Sequence, residues 1–201
     1  MKLRSITILF ALAVASVAAH SQSGIYATFE AQDFTRNGIL ATAPAGSSNS
    51  DSPWLYGPAF GVYYTPSHIH IPKLGNLHTG PVKLGLDVRG DILRTDTQYS
   101  RDDALVSIRV TPNSPLLGVR FYAQGGAGIG HTKVPSQTNY TNNWSYQLAI
   151  GADRKLKGRL DWRIVEAGAG FLGNYKAGLG SNDNNYMITV GTGLVVRLGG
   201  K

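Results

Sequence analysis

The stretch Val82 to Arg94, VKLGLDVRGDILR, decides the fold. Val82, Leu84, Leu86 and Val88 fall at every second position, with Lys83, Asp87, Arg89 and Asp91 on the alternate ones. Successive side chains of an extended chain point to opposite faces. The stretch therefore reads as a strand with one apolar and one charged face; an amphipathic helix would space its apolar residues by a mixture of three and four.

The same alternation recurs in seven other segments, separated by turn-rich stretches. Residues 24–36 place Ile25, Ala27, Phe29 and Ala31 against Thr28, Glu30 and Gln32. Residues 54–65 place Trp54, Tyr56, Phe60, Val62 and Tyr64 against Gly57, Ala59 and Gly61. After 82–94, residues 104–111 set Ala104, Val106, Ile108 and Val110 against Ser107, Arg109 and Thr111. Residues 119–130 set Val119, Phe121, Ala123, Ala127 and Ile129 against Arg120, Gln124 and glycines. Residues 144–153 set Trp144, Tyr146, Leu148 and Ile150 against Ser145, Gln147 and Asp153. In 160–172, Leu160, Trp162 and Ile164 share a face on which Glu166 also falls, which predicts a bulge near Val165 that restores the register. Residues 186–198 set Tyr186, Ile188, Val190, Leu194, Val196 and Leu198 against Thr189, Gly191, Gly193 and Arg197.

Eight antiparallel strands joined in sequence can close into an up-and-down barrel with no free edge, which is what a bilayer demands of a β-protein. The predicted fold class is therefore all-β: an eight-stranded antiparallel transmembrane barrel with an interior just wide enough for side chains. The first 21 residues read as a secretory signal peptide. Lys2 and Arg4 form a basic start, ITILFALAVA at residues 6–15 is an apolar run too short to span a bilayer, and Val17-Ala18-Ala19 is a small-residue cleavage site. The barrel domain is then 22–201. The absence of Cys excludes a disulfide framework, a thiolate metal site and a lipid anchor on an N-terminal Cys. The formal charge of +7 falls by two, to +5, once Lys2 and Arg4 leave with the leader. The basic residues are scattered, and an exported chain does not meet nucleic acid.

Three features point the apolar face toward lipid. The polar face mixes glycine with Glu30, Asp87, Arg89, Asp91, Arg109, Arg120, Gln124, Gln147, Asp161, Arg163, Glu166 and Arg197, a composition suited to a cramped lumen of paired charges rather than a solvated exterior. Glu30, Asp87, Asp91 and Glu166 are expected to pair with those arginines. With the N-terminus in the periplasm, Trp54, Tyr56, Trp144, Tyr146, Phe171 and Tyr186 fall at the outer level and Tyr64, Phe121 and Trp162 at the inner level, giving two aromatic girdles. The connections 37–53, 95–103, 131–143 and 173–185 then lie outside and the short ones, 112–118 and 154–159, inside. The inner connection 66–81 is longer and leaves room for a strand extension around Ile69 and Ile71.

Over residues 24–198 the pattern resembles the eight-stranded outer-membrane β-barrel family of the OmpA-transmembrane and OmpX type. The resemblance rests on residues 151–166, GADRKLKGRLDWRIVE, and on the last segment, where Gly193, Val196 and Leu198 match the spacing of the family's closing strand. The chain ends in Arg197-Leu198-Gly199-Gly200-Lys201 where the family commonly has a terminal aromatic. The resemblance implies location in the cell outer membrane, contact with its lipid and lipopolysaccharide, handling by the barrel assembly machinery, and no cofactor.

Candidate chemistry is sparse. Some barrels of this size are lipid A deacylases with a His and a Ser at the outer rim. His131 lies at such a position, but its neighbours are Thr132 and Lys133, without a Ser two residues on. His68, His70 and His78 lie in one connection, and His68 and His70 share a face of an extended chain, yet without a carboxylate they make a poor metal site. The glycines of 125–130 suit close packing in a lumen better than a phosphate loop, since no helix pattern follows. The expectation is a non-enzymatic membrane barrel, structural or surface-interacting, with a small porin and a lipid-modifying enzyme as alternatives.

Overall fold

Each spanning segment becomes a strand because its apolar residues recur with the period of the pleat, and turn residues interrupt the pattern between segments. The computed structural model describes residues 22–35, 54–66, 69–71, 75–77, 82–95, 100–133, 140–174 and 185–198. Its strands are β1 (Gln22–Thr35), β2 (Trp54–Thr65), β3 (Ile69–Ile71), β4 (Gly75–Leu77), β5 (Val82–Arg94), β6 (Ser100–Pro112), β7 (Val119–Lys133), β8 (Thr141–Lys157), β9 (Leu160–Asn174) and β10 (Asn185–Arg197). Eight of them form one closed antiparallel barrel in the order β1-β10-β9-β8-β7-β6-β5-β2, and β1 pairs with β2 to complete the ring. At 12 to 17 residues the spanning strands exceed the ~9–11 that a tilted crossing of the hydrocarbon requires, so their ends project beyond it.

The connection 66–81 carries the two-stranded sheet β3–β4, with Ile69 opposite Leu77 and Ile71 opposite Gly75. The end of β2 and the start of β5, which it joins, lie at the same end of the barrel as the start of β1 and the turns 113–118 and 158–159, called here the turn end; the ends of β1, β5, β7 and β9 and the starts of β2, β6, β8 and β10 form the loop end. Several strands run further than the alternation predicted. The most consequential case is β6, which starts at Ser100 rather than at residue 104. Asp102 and Asp103 read as loop residues in isolation, but Asp91 pairs in register with Asp103 and Leu93 with Arg101, so the ladder continues. The irregularity expected near Val165 is present. Glu166 pairs with Gly191 and Arg163 with Gly193, so two residues of β9 oppose one of β10. Trp162 and Val165 both face outward, and Arg163 and Glu166 both face inward. The leader expected over residues 1–21 lies outside the described residues.

The turn between β6 and β7 is a two-residue hairpin. Leu116 and Val119 exchange both backbone hydrogen bonds at 2.9 Å, and Leu117 and Gly118 between them have φ of 52° and 77°. Two successive positive φ angles define the mirror-image turn that matches strand twist. Gly118 adopts this backbone freely. Leu117 bears an unfavourable left-handed conformation of about 1–2 kcal/mol.

Burial is inverted relative to a water-soluble barrel. Leu148 and Ile150 on the outside are 70% and 65% exposed, whereas Asp87 and Arg163 on the inside are 0% exposed. The outer face presents Ile25, Phe29, Phe60, Leu86, Val106, Ile108, Ile188 and Leu194 as a continuous apolar surface. Such a surface is unfavourable in water and favourable in hydrocarbon, at roughly 25 cal/mol per Å² removed from water.

Candidate functional site

The lumen is the chemically dense part of the molecule. Alternation turns one charged or polar side chain inward at every second position, and eight strands bring those side chains within reach of one another. Arg89 of β5 lies at the centre. It forms ion pairs with Glu30 of β1 and Glu166 of β9, and with Asp91 two residues along its own strand at 2.5 Å. Arg163 joins Asp153 at 3.0 Å and Glu166 at 2.9 Å. Arg109 joins Asp153 at 3.2 Å and reaches Asp87 at 3.8 Å. A carboxylate buried without such partners would be strongly destabilising, so the arginines and acids must enter the lumen together.

Three tyrosines bind the network to the wall. Tyr26 donates to Asp87 at 2.8 Å, and Tyr122 donates to Glu166. Arg109 stacks over the rings of Tyr122 and Tyr63, at 3.6 and 4.3 Å from their centroids, and Arg163 over Tyr26 at 4.2 Å. Guanidinium over an aromatic face adds attraction that strengthens with desolvation. Each ring lies on a glycine directly across the ladder: Tyr26 on Gly61, Tyr63 on Gly24 and Tyr122 on Gly151. A Cβ on Gly151 would stand 2.2 Å from the Tyr122 ring, so only glycine admits it.

Above this cluster, toward the loop end, Arg101 pairs with Asp103 and donates to Gln32 and to Ser145. Gln32 in turn donates to Thr189 at 2.8 Å. Leu55, Leu93, Leu172 and Met187 pack across the barrel at this level as a buried apolar cluster. Below, toward the turn end, Arg120 and Arg197 both bind Asp161, at 3.4 and 2.8 Å.

The expected lumen charges all face inward, but their partners differ from expectation in one respect. Arg120 and Arg197 were expected opposite Glu30, Asp87, Asp91 or Glu166. They lie too far toward the turn end, one alternation beyond Tyr122 and Val195, and use Asp161 instead. Asp161 was read on the polar face and Asp153 on the polar side of its strand, though neither was given a partner, and both complete the network together with Arg101 and Asp103, which were not read as lumen residues. The signal for Asp153 and Asp161 was their inward parity; Arg101 and Asp103 fell outside the expected strand.

The expected girdle residues all face outward. Tyr186, Phe171 and Tyr146 lie side by side across β10, β9 and β8, and the last two rings stack at 4.6 Å. Trp54, Tyr56 and Trp144 share that loop-end level, while Tyr64, Phe121 and Trp162 lie near the turn end. Among the described residues the loop-end girdle lies on β2 and β8–β10. On β5–β7 the outward residues above Ile92, Ala104 and Ile129 are Arg94, Asp102 and His131. Arg94 pairs with Asp102, and His131 Nδ1 lies 2.7 Å from Asn142 Oδ1. Among the described residues no serine or threonine hydroxyl bonds to His131. His68 and His78 lie outside the described residues, and His70 is opposite Asn76 in β3–β4. Among the described residues no His, Cys, Asp or Glu group is arranged for a metal ion.

A closed eight-stranded barrel with an ion-paired interior, an apolar exterior and aromatic rings toward its ends has the architecture of a transmembrane β-barrel, since only a bilayer satisfies that exterior. No family model and no curated protein matches the sequence. Among solved structures, the chain is similar to Neisserial surface protein A, at 9% identity and a TM-score of 0.49 over 86% of this chain and 96% of that one. It is also similar to the outer-membrane enzyme PagL, at 10% identity and a TM-score of 0.45 over 88% and 98%. A third is Ail, the attachment invasion locus protein of Yersinia pestis, at 10% identity and a TM-score of 0.41 over 88% and 99%.

Proposed function

We propose that the chain is an integral protein of a bacterial outer membrane, with its N-terminus and turn end in the periplasm, serving as a structural or surface-interacting barrel rather than a catalyst. The filled lumen carries this reading. Ion-paired arginines occupy three levels, and the cluster of Leu55, Leu93, Leu172 and Met187 crosses the interior at the loop end. Eight-stranded barrels of this kind leave side chains, not a water column, inside. Contact with the surroundings then falls to the connections 36–53 and 175–184, rich in Gly, Ser and Asn.

Two measurements test it. In planar bilayers the purified barrel gives no stable unitary conductance; regular steps would favour the porin alternative. Protease added to intact cells cuts within 36–53 or 175–184; cutting at 113–118 or 158–159 instead would reverse the orientation. A lipid-modifying reading is favoured by one observation, the hydrogen bond that orients His131 on the outer rim. Altered lipid A in cells overproducing the protein, restored by His131→Ala, would establish it over the non-catalytic one.

A further inference from the structure

The arginines of the lumen are all neutralised: Arg89, Arg101, Arg109, Arg120, Arg163 and Arg197 each form an ion pair. At the turn end the protein does the opposite. Arg154, Lys155, Lys157 and Arg159 are exposed within six consecutive residues, and among the described residues none of the four has an ion-pair partner. Asp153 and Asp161, which flank them, are buried and already bound to Arg109, Arg163, Arg120 and Arg197. At the loop end, by contrast, exposed Arg94 is paired with Asp102.

The same rim is apolar as well as basic. Leu116, Leu117 and Leu156 are 64%, 94% and 52% exposed at the tips of the two adjoining hairpins. Leu117 keeps a positive φ at a position where Asn would fit both the backbone and water better. Backbone strain retained at an exposed site points to a contact that uses the side chain. The patch runs directly into the lipid-facing band. Arg154 pairs across the ladder with Val119 on one side and with Trp162 on the other, and Phe121 lies one outward position above Val119.

We propose that this rim, formed by the β6–β7 and β8–β9 turns, docks the headgroups of anionic phospholipids in the adjoining leaflet. Arg154, Lys155, Lys157 and Arg159 hold the phosphates, and Leu116, Leu117 and Leu156 pack against the interface beside them. The inference rests on the membrane reading of the apolar face. Lipid is favoured over an acidic protein because the leucines continue the surface that lipid already covers, and basic side chains at headgroup level attract anionic lipid individually.

The test uses the full barrel reconstituted in phosphatidylcholine vesicles, with spin-labelled phosphatidylglycerol or phosphatidylcholine as the probe. The fraction of each probe immobilised at the barrel perimeter gives their relative association. The expected preference for phosphatidylglycerol is roughly threefold at low salt, declining as ionic strength rises. It falls to parity in R154Q/K155Q/K157Q/R159Q. Leu117→Asn relieves the backbone, leaves the folded gel band intact and lowers the preference. Parity in the parent protein, or an unchanged preference in the fourfold variant, overturns the proposal. If the parent shows no heat-modifiable folded band in vesicles, the membrane reading itself has failed and the docking surface falls with it. Binding of an acidic protein at this rim without any lipid preference would also overturn it.

Discussion

Replacing Arg89 by Met tests how the lumen is held together. Arg89 is the shared partner of three carboxylates, and its side chain is 1% exposed. In its absence Glu166 keeps Arg163 and the Tyr122 hydroxyl. Among the described residues Glu30 keeps the hydroxyl of Thr28, at 2.9 Å, and no ion pair, and Asp91 keeps no ion pair. Removing one member of a buried ion pair costs about 3–5 kcal/mol, because the remaining charge stays desolvated. That corresponds to a shift of roughly 10²- to 10⁴-fold in the unfolding equilibrium. Arg94→Met is the control: its pair with Asp102 is 46% and 37% exposed, and such pairs contribute about 0–1 kcal/mol. The assay is urea unfolding in lipid vesicles, followed by tryptophan fluorescence and by loss of the compact gel band. Adding Glu30→Gln and Asp91→Asn to Arg89→Met should recover part of the loss, a non-additivity expected of groups in one network. A deficit below about 1 kcal/mol for Arg89→Met, or equal deficits for both arginines, would refute the reasoning.

Gly151→Ala places a methyl against the Tyr122 ring and displaces it from Glu166 and Arg109; a loss of about 1–3 kcal/mol is expected by the same unfolding assay, with Gly90→Ala, whose Cβ meets only ordinary contact at 3.6 Å, as the comparison. Leu148→Arg puts a charge at the middle of the outer face and should cost about 2–4 kcal/mol in vesicles; a neutral effect would mean that this face meets water. Detergent-extracted protein should migrate faster unboiled than boiled on a denaturing gel, because the closed hydrogen-bonded ring resists detergent until heated; identical mobility would count against closure.

The alternation of apolar and polar residues was enough to sort the side chains of each strand into two faces, because a period of two leaves only two sets once the register is continuous; which set meets lipid was read from the composition of the polar face, the aromatic levels and the connection lengths. Even the break at Ile164–Val165 was legible, since Glu166 would otherwise face lipid. The partners in the lumen were not legible. Arg89 and Glu166 are separated by 77 residues, and their meeting depends on the stagger of the closed ring. No local pattern encodes that stagger. The extension of β6 to Ser100 was hidden by the Asp102-Asp103 pair, which resembles a loop until one of the two is seen to be satisfied by Arg101 inside the barrel. The inward tyrosines could have been read from parity: Tyr26, Tyr63 and Tyr122 alternate with Thr28, Gly61 and Gln124 on the polar face, and a glycine faces each across the ladder.

The central claim, that the apolar face lies in lipid and the charges lie inside, is tested most directly by the three tryptophans. Trp54, Trp144 and Trp162 are the only ones in the chain, and all face outward, at 45%, 36% and 42% exposure. In vesicles of phosphatidylcholine brominated at defined acyl depths, all three should be quenched by bromines near the carbonyl level and shielded from aqueous iodide. Single-tryptophan variants should place Trp162 toward the leaflet opposite to that of Trp54 and Trp144. Full quenching by iodide, with no effect of brominated lipid, would contradict the account and place the apolar face outside any bilayer.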